Sequence, residues 1–201
     1  MKLNDNTELF QTEIPSNKWL TKDTDKEVIR AVSVDVADPE NLTPEEELVM
    51  HKLIDFTRYS QDAELNKEDG HDYLRPAVGL AAPQIGANIN MYYIRFDLGE
   101  EKEEYAMINA KITSKSKQIT ALDDGEGCLS VDVDHEGIVP RAYKVVVEGY
   151  DYITKEYVQL TMRHYRAIVF QHETEHNEGH LYYDRINTSD RWKTEKDWIL
   201  I

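Results

Sequence analysis

Apolar and polar positions along the chain follow two different rhythms. Between Pro44 and Arg58, Met50, Leu53, Ile54 and Phe56 gather on one side at helical spacing, and Thr43 with Glu46 three residues later forms a capping-box signature at the start. The spacing predicts a helix from about Pro44 to Arg58. Tyr165, Ile168, Val169, His172 and His176 also recur at steps of three and four, which predicts a second helix whose two imidazoles extend an apolar face inward. Gly179 supplies a stop for it. Elsewhere the period shortens: Met91 to Phe96, Lys144 to Tyr150 and Glu156 to Met162 alternate or run apolar, with β-branched and aromatic residues, and read as strands. Asp151 to Lys155 joins the last two as a hairpin, and the ending Lys193 to Ile201 reads as a final strand. Helices and strands in this order predict an α+β domain with mixed, mainly antiparallel sheets.

The second helix carries the chemistry. It contains Gln171-His172-Glu173-Thr174-Glu175-His176. Residues four apart on a helix have Cβ atoms about 5 to 6 Å apart, so two imidazoles at that spacing can close on one divalent ion. Glu173 beside them is placed to take a proton from water on that ion. H-E-x-x-H also occurs in helices that bind nothing, and two imidazoles do not complete a site. The chain's one cysteine, Cys128, lies in Asp124-Gly125-Glu126-Gly127-Cys128-Leu129-Ser130. A lone cysteine is most often a small inert core residue, but flanking glycines disfavour a plain strand interior and let the backbone approach another group. A thiolate is a strong ligand for a borderline or soft metal. A third segment runs from Arg75 through Val78-Gly79-Leu80-Ala81-Ala82-Pro83-Gln84 to Gly86. Its small residues allow a close approach and Gln84 can aim an amide N–H at an oxyanion; its composition equally suits a tight turn packed under a helix.

Taken together, Ala77 to Gln84, Glu126 to Ser130 and Gln171 to His176 resemble, in order, the three motifs of the peptide deformylases: G-φ-G-φ-A-A-x-Q, E-G-C-L-S and Q-H-E-x-x-H. The likeness continues through Val139 to Ala142, Lys144 to Gly149 and Tyr182 to Asn187, and covers roughly residues 18 to 201. It implies the fold of that family, with sheets enclosing a central metal-binding helix, and removal of the formyl group from the N-terminal formylmethionine of new proteins. It further implies that Cys128, His172 and His176 hold the ion and leave a position for water. Glu173 would act as base, with Gln84 and the backbone N–H of Leu129 stabilising the oxyanion. Val78, Gly79 and Gly127 would pair with the peptide as an added strand, and the methionine side chain would enter a pocket including Arg75, Val78, Tyr165, Val169 and His172. The native ion would be Fe²⁺, with Zn²⁺, Ni²⁺ or Co²⁺ accepted by the same ligands.

Two positions depart from the family pattern. Ala77 stands where the first motif has glycine, adding a methyl group beside the expected substrate groove, and Asn177-Glu178 gives the ligand helix a more polar end. The polar run Ser60 to Asp72 reads as an insertion, which with the strand-like ending resembles the branch called type II.

Composition narrows the setting. The 201 residues suit one compact catalytic domain, with no linker-like tract and no repeat. No stretch approaches the roughly 20 apolar residues of a membrane span, and a single cysteine excludes an internal disulfide framework. A cytoplasmic location is expected, where a thiolate ligand is safest. The net charge of −16 disfavours direct nucleic-acid binding. Its clusters at Glu45 to Glu47 and Glu100 to Glu104 read as solvated faces, so contact with a ribosome would be transient and the partners of interest are formylmethionyl nascent peptides.

Two other functions use the same helix. An H-E-x-x-H endopeptidase of the long variant needs glycine three and histidine six residues after the second histidine. Gly179 fits, but position 182 is Tyr182 and His180 comes two residues early. The variant with a downstream glutamate could use Glu195, which leaves Cys128 unexplained. A purely structural metal module would need a fourth protein ligand and no use for Glu173 or Gln84.

Overall fold

The computed structural model describes residues 1–67 and 72–201. Its helices are α1 (Lys26–Ile29), α2 (Pro44–Gln61) and α3 (Tyr165–Asn177). Its strands are β1 (Gly79–Ala81), β2 (Met91–Asp97), β3 (Lys102–Lys115), β4 (Ile119–Ala121), β5 (Arg141–Ala142), β6 (Lys144–Asp151), β7 (Glu156–Arg163) and β8 (Ile199–Leu200). The α+β class expected from the sequence is what the chain adopts.

Helix α2 begins with the anticipated capping box. The Thr43 hydroxyl accepts from the Glu46 N–H at 3.3 Å, and the Glu46 carboxylate accepts from the Thr43 N–H at 2.8 Å. Glu45, Glu46 and Glu47 lie in the first turn, where the helix dipole favours negative charge. The helix runs to Gln61 and not Arg58, so Ser60 and Gln61 belong to it and not to the insertion. Ser60 is buried, and its hydroxyl accepts from the Ala77 N–H at 3.0 Å; this tertiary bond extends the helix through a polar residue. Of the remaining insertion, Asp62 to Lys67 follow as turns, and residues 68 to 71 lie outside the described residues.

Five strands form an antiparallel sheet in the order β1-β2-β3-β6-β7. The β6–β7 hairpin closes at Asp151 opposite Glu156, through the expected connection. Strand β3, the longest, falls partly on the acidic run that suggested a solvated face. That reading fails at two residues because distant arginines neutralise them. Arg58 grips Glu104 with Nε and Nη2 at 2.7 and 2.9 Å, and Arg166 grips Glu103 with two bonds of 2.7 Å. A second sheet has the order β5-β4-β8, with β8 parallel to β4. The final strand is therefore confined to Ile199–Leu200.

Strand β2 explains how the layers stack. Met91 and Tyr93 face α2 in one cluster with Met50, Leu53, Ile54 and Phe56, while Tyr92, Ile94 and Phe96 face α3 in another with Ala167, Val169 and Phe170. Alternation with period two has sent successive side chains to opposite faces, both covered by a helix. This fixes the height of α3 above the sheet, and with it the position of His172 and His176.

Candidate metal centre and active site

Helix α3 is docked by an amide. The Gln171 side chain accepts from the Ala142 N–H at 3.0 Å and donates to the Ala142 carbonyl at 2.9 Å, meeting β5 much as another strand would. The helix ends at Asn177, and Gly179 just beyond its cap has a φ of +77°, which suits a residue without a Cβ. A methyl group there would lie 2.4 Å from the Arg30 carbonyl oxygen. The polar end anticipated at Asn177 is buried, and Asn177 reaches the Met91 carbonyl at 3.3 Å.

Cys128 approaches the helix on a loop that packs backbone against backbone. Gly125 has φ +81°, and a Cβ on it would sit 2.6 Å from the Gly137 carbonyl. The loop thus delivers a buried thiol to α3. Ligand atoms of Cys128, His172 and His176 all lie within 4.8 Å of one another, and Cys128 Sγ stands 3.4 Å from His176 Nε2.

Behind these residues runs a chain of buried charge. Nδ1 of His172 lies 2.8 Å from Glu126 Oε2. Glu126 is held by Arg141 through two bonds of 2.8 Å, Arg141 also reaches Glu175, and Arg185 Nε meets Glu175 at 2.6 Å. Burial would raise the Glu126 carboxyl, but the Arg141 guanidinium and the His172 ring outweigh it and bring it down to about 2. Burial likewise works against His172 as a cation, and the Cys128 thiol and Glu126 carboxylate pull it well above the ordinary imidazole value. His176 goes the other way, pushed well below by burial and the neighbouring His172. A carboxylate behind a ligand imidazole fixes the ring's tautomer and aim. Glu126, Arg141 and Glu175 lie within or beside the motif stretches, where nothing in the local pattern marks them as a charge chain. The available signal was Arg141 itself, a lone cation between Val139 and Ala142 in an otherwise apolar stretch.

Glu173 faces the cavity from α3. It is buried, its Oε2 has no hydrogen-bond partner among the described residues, and burial pushes its carboxyl up to about 7. Its side chain lies against Gly79, where a Cβ would come within 2.4 Å of Oε1. Gln84, in the 3-10 turn Ala82–Ile85 after β1, accepts from the Ala81 N–H at 2.8 Å, which leaves its Nε2 directed at Cys128 Sγ, 3.4 Å away.

A cavity of about 240 Å³ opens beside this group. It is lined by every residue expected at the site except His176, which lies deeper: Arg75, Val78, Gly79, Gln84, Gly127, Cys128, Leu129, Tyr165, Val169, His172 and Glu173. Tyr165 stands at its rim, 38% exposed, and not on the buried stripe expected of it, because it is the first residue of the helix. The Lys22 ammonium binds the Leu129 carbonyl at 2.9 Å, fixing that peptide group at the cavity wall. Ala77 also lines the wall, its added methyl accommodated in a buried setting.

Comparison with known proteins agrees with this geometry. Residues 18–192 match the family model for polypeptide deformylase. The peptide deformylase of Malacoplasma penetrans is 35% identical over 190 residues, covering 94% of this chain and 98% of its own. Peptide deformylase 2 of Geobacillus stearothermophilus is 43% identical over 158 residues, 77% of this chain and 84% of its own. Among solved structures, a probable peptide deformylase from Synechococcus phage S-SSM7 superposes with a TM-score of 0.65 at 28% identity, covering 83% of this chain and 97% of that one. No helix among the described residues is long and apolar enough to cross a membrane. With a family match across most of its length, and a cysteine and two histidines gathered as a metal-dependent hydrolase requires, the chain belongs to the polypeptide deformylase family.

Proposed function

We propose that this chain hydrolyses the N-formyl group of formylmethionyl peptides, releasing formate and a free amino terminus, with a divalent ion held by Cys128, His172 and His176. The observation that carries the reading is the convergence of these three donors on one buried point beside an unpartnered Glu173 and an open cavity. One sulfur and two imidazole nitrogens, backed by Glu126, fit Fe²⁺, Zn²⁺, Ni²⁺ or Co²⁺, and we take Fe²⁺ as the ion used in the cell. A bound ion would supply Lewis acidity and bring the pKa of water toward about 7.

The protein's own residues supply the rest. Glu173, raised to about 7, is suited to accept a proton from water as oxygen bonds to the formyl carbon, then to deliver it to the amine nitrogen as the C–N bond breaks. The Gln84 amide N–H and the Leu129 backbone N–H stabilise charge on the formyl oxygen. Backbone groups of Val78 and Gly79, at the start of β1, and of Gly127 on the Cys128 loop receive the peptide, and the methionine side chain enters the cavity among Arg75, Val78, Tyr165, Val169 and His172. Such substrates are nascent chains meeting the enzyme in the cytoplasm, where a reducing environment preserves the thiolate.

The test is formate release from formyl-Met-Ala by protein loaded with Fe²⁺ or Ni²⁺, beside acetyl-Met-Ala. Formate from the first and no cleavage of the second is expected. No formate with the ion bound one to one would refute the proposal. Cys128→Ser should lose the ion; retained ion with cleavage of internal peptide bonds would mean an endopeptidase.

A further inference from the structure

Gln84 and Leu129, the two residues proposed to stabilise the formyl oxygen, come from separate parts of the fold. Gln84 sits in the 3-10 turn after β1, beside the five-stranded sheet, whereas Leu129 is on the Cys128 loop, outside both sheets. One oxygen can meet both N–H groups only if their separation is fixed. We infer that Lys22, with the backbone of Thr21 and Asp23, is the positioning element that fixes it. This rests on the proposed deformylase reading and concerns the same site.

Three successive residues each hold one carbonyl. The Thr21 N–H donates to the Gln84 carbonyl at 2.7 Å, the Lys22 ammonium to the Leu129 carbonyl at 2.9 Å, and the Asp23 N–H to the Ser130 carbonyl at 2.7 Å. The segment thus crosses from one turn to the other within a single residue. Gln84 is pinned twice, because its side-chain Oε1 also accepts from the Ala81 N–H at 2.8 Å, which commits Nε2 to the cavity side. Leu129 and Ser130 are the central pair of a turn closed by the Val131 N–H on the Cys128 carbonyl at 3.2 Å. Both central carbonyls are the ones held. A peptide group is planar, so fixing each carbonyl fixes its plane, and the turn that carries the Leu129 N–H has little freedom to swing.

The segment is itself anchored on either side. Leu20, like Ile85 and Leu129, packs against the core cluster of α2 and β2, and Ile29 of α1 is fully buried in the cluster that holds Cys128 and Val131. Lys22 supplies the one link of the three made by a side chain. Its ammonium gives a charge-assisted bond, stronger than a neutral one, and Asp132 at 2.9 Å balances the charge from the more exposed side.

The experiment measures formate release from formyl-Met-Ala by metal-loaded wild type, Lys22→Met, Lys22→Arg and Asp132→Asn, with metal content and Tm read on the same samples. Lys22→Met keeps the stem and removes the donor. It should lower kcat per bound ion about tenfold with KM within about twofold, because a misplaced oxyanion donor weakens an interaction made in the transition state. Lys22→Arg restores a donor and should recover kcat to within about threefold of wild type. Asp132→Asn breaks the ion pair and spares the Leu129 contact, so its kcat should stay within about twofold. Wild-type kcat in Lys22→Met, or a loss accounted for by missing metal, would overturn the inference and leave the deformylase reading intact. An equal loss in Asp132→Asn would also overturn it, by assigning the effect to the ion pair. Failure of metal-loaded wild type to release formate would remove the parent reading and this one with it.

Discussion

Replacing Gly79 by alanine should disable catalysis without removing a ligand. A Cβ at this position would stand 2.4, 2.7 and 2.8 Å from Oε1, Cδ and Cγ of Glu173, against an ordinary contact near 3.4 Å. The carboxylate or β1 must then move by about 1 Å. Glu173 is 4% exposed and packed on a helix docked to the sheet, so it has little room to turn aside. A displacement of that size in a catalytic group costs on the order of 100-fold. Overpacking adds about 1 to 3 kcal/mol of destabilisation, roughly 2 to 12 °C in Tm for a chain of this length. The assay is formate release under saturating formyl-Met-Ala, with metal content measured on the same samples. We expect kcat to fall about 100-fold, with the ion retained, because Cys128, His172 and His176 are not displaced. A Gly79→Ala protein with kcat within twofold of wild type would refute the claim that contact with Gly79 sets the position of Glu173. Position 77 provides the contrast, since the chain itself carries a methyl there.

Two further outcomes follow from the buried charges. Arg141→Ala removes the shared partner of Glu126 and Glu175 and should cost about 3 to 5 kcal/mol, a Tm loss of roughly 6 to 20 °C; an unchanged melting curve would contradict the network described. At Glu104, burial raises the carboxyl, but hydrogen bonds from Arg58 and Tyr93 prevail and hold it below its ordinary 4.5. Its stabilisation is therefore complete above pH 4.5 and lost as pH falls through the lower folded value. The Tm gap between wild type and Glu104→Gln should persist at pH 7 and close in acid; a gap independent of pH would count against it.

What the sequence disclosed was local in origin. The capping box at Thr43 and Glu46, the hairpin around Asp151 to Lys155 and the histidine spacing on α3 each depend on residues within one or two turns. Cys128 and Gln84 lie far from α3 in the chain, and only their likeness to family motifs brought them to the same site. Strand β3 was hidden because Glu103 and Glu104 look solvated until Arg166 and Arg58, from remote segments, are seen to neutralise them. The support behind His172 was hidden for the same reason: Glu126, Arg141, Glu175 and Arg185 are each costly to bury alone and make sense only as a set. The N-terminal segment carried no periodic signal, yet Leu3 and Leu9 are buried and Asp5 reaches Arg95.

The pair of bonds between Gln171 and Ala142 acts as an index mark. Successive residues of a helix are rotated by about 100°, so sliding α3 by a single position would swing both imidazoles out of line with the thiol. Because a primary amide offers both a donor and an acceptor at that reach, glutamate or methionine at 171 would break this tie to β5 and leave the rotation of the helix to apolar packing and the ion pairs of Glu175. In the proposed centre, accurate coordination would thus begin one residue before His172, in a side chain that never meets the ion.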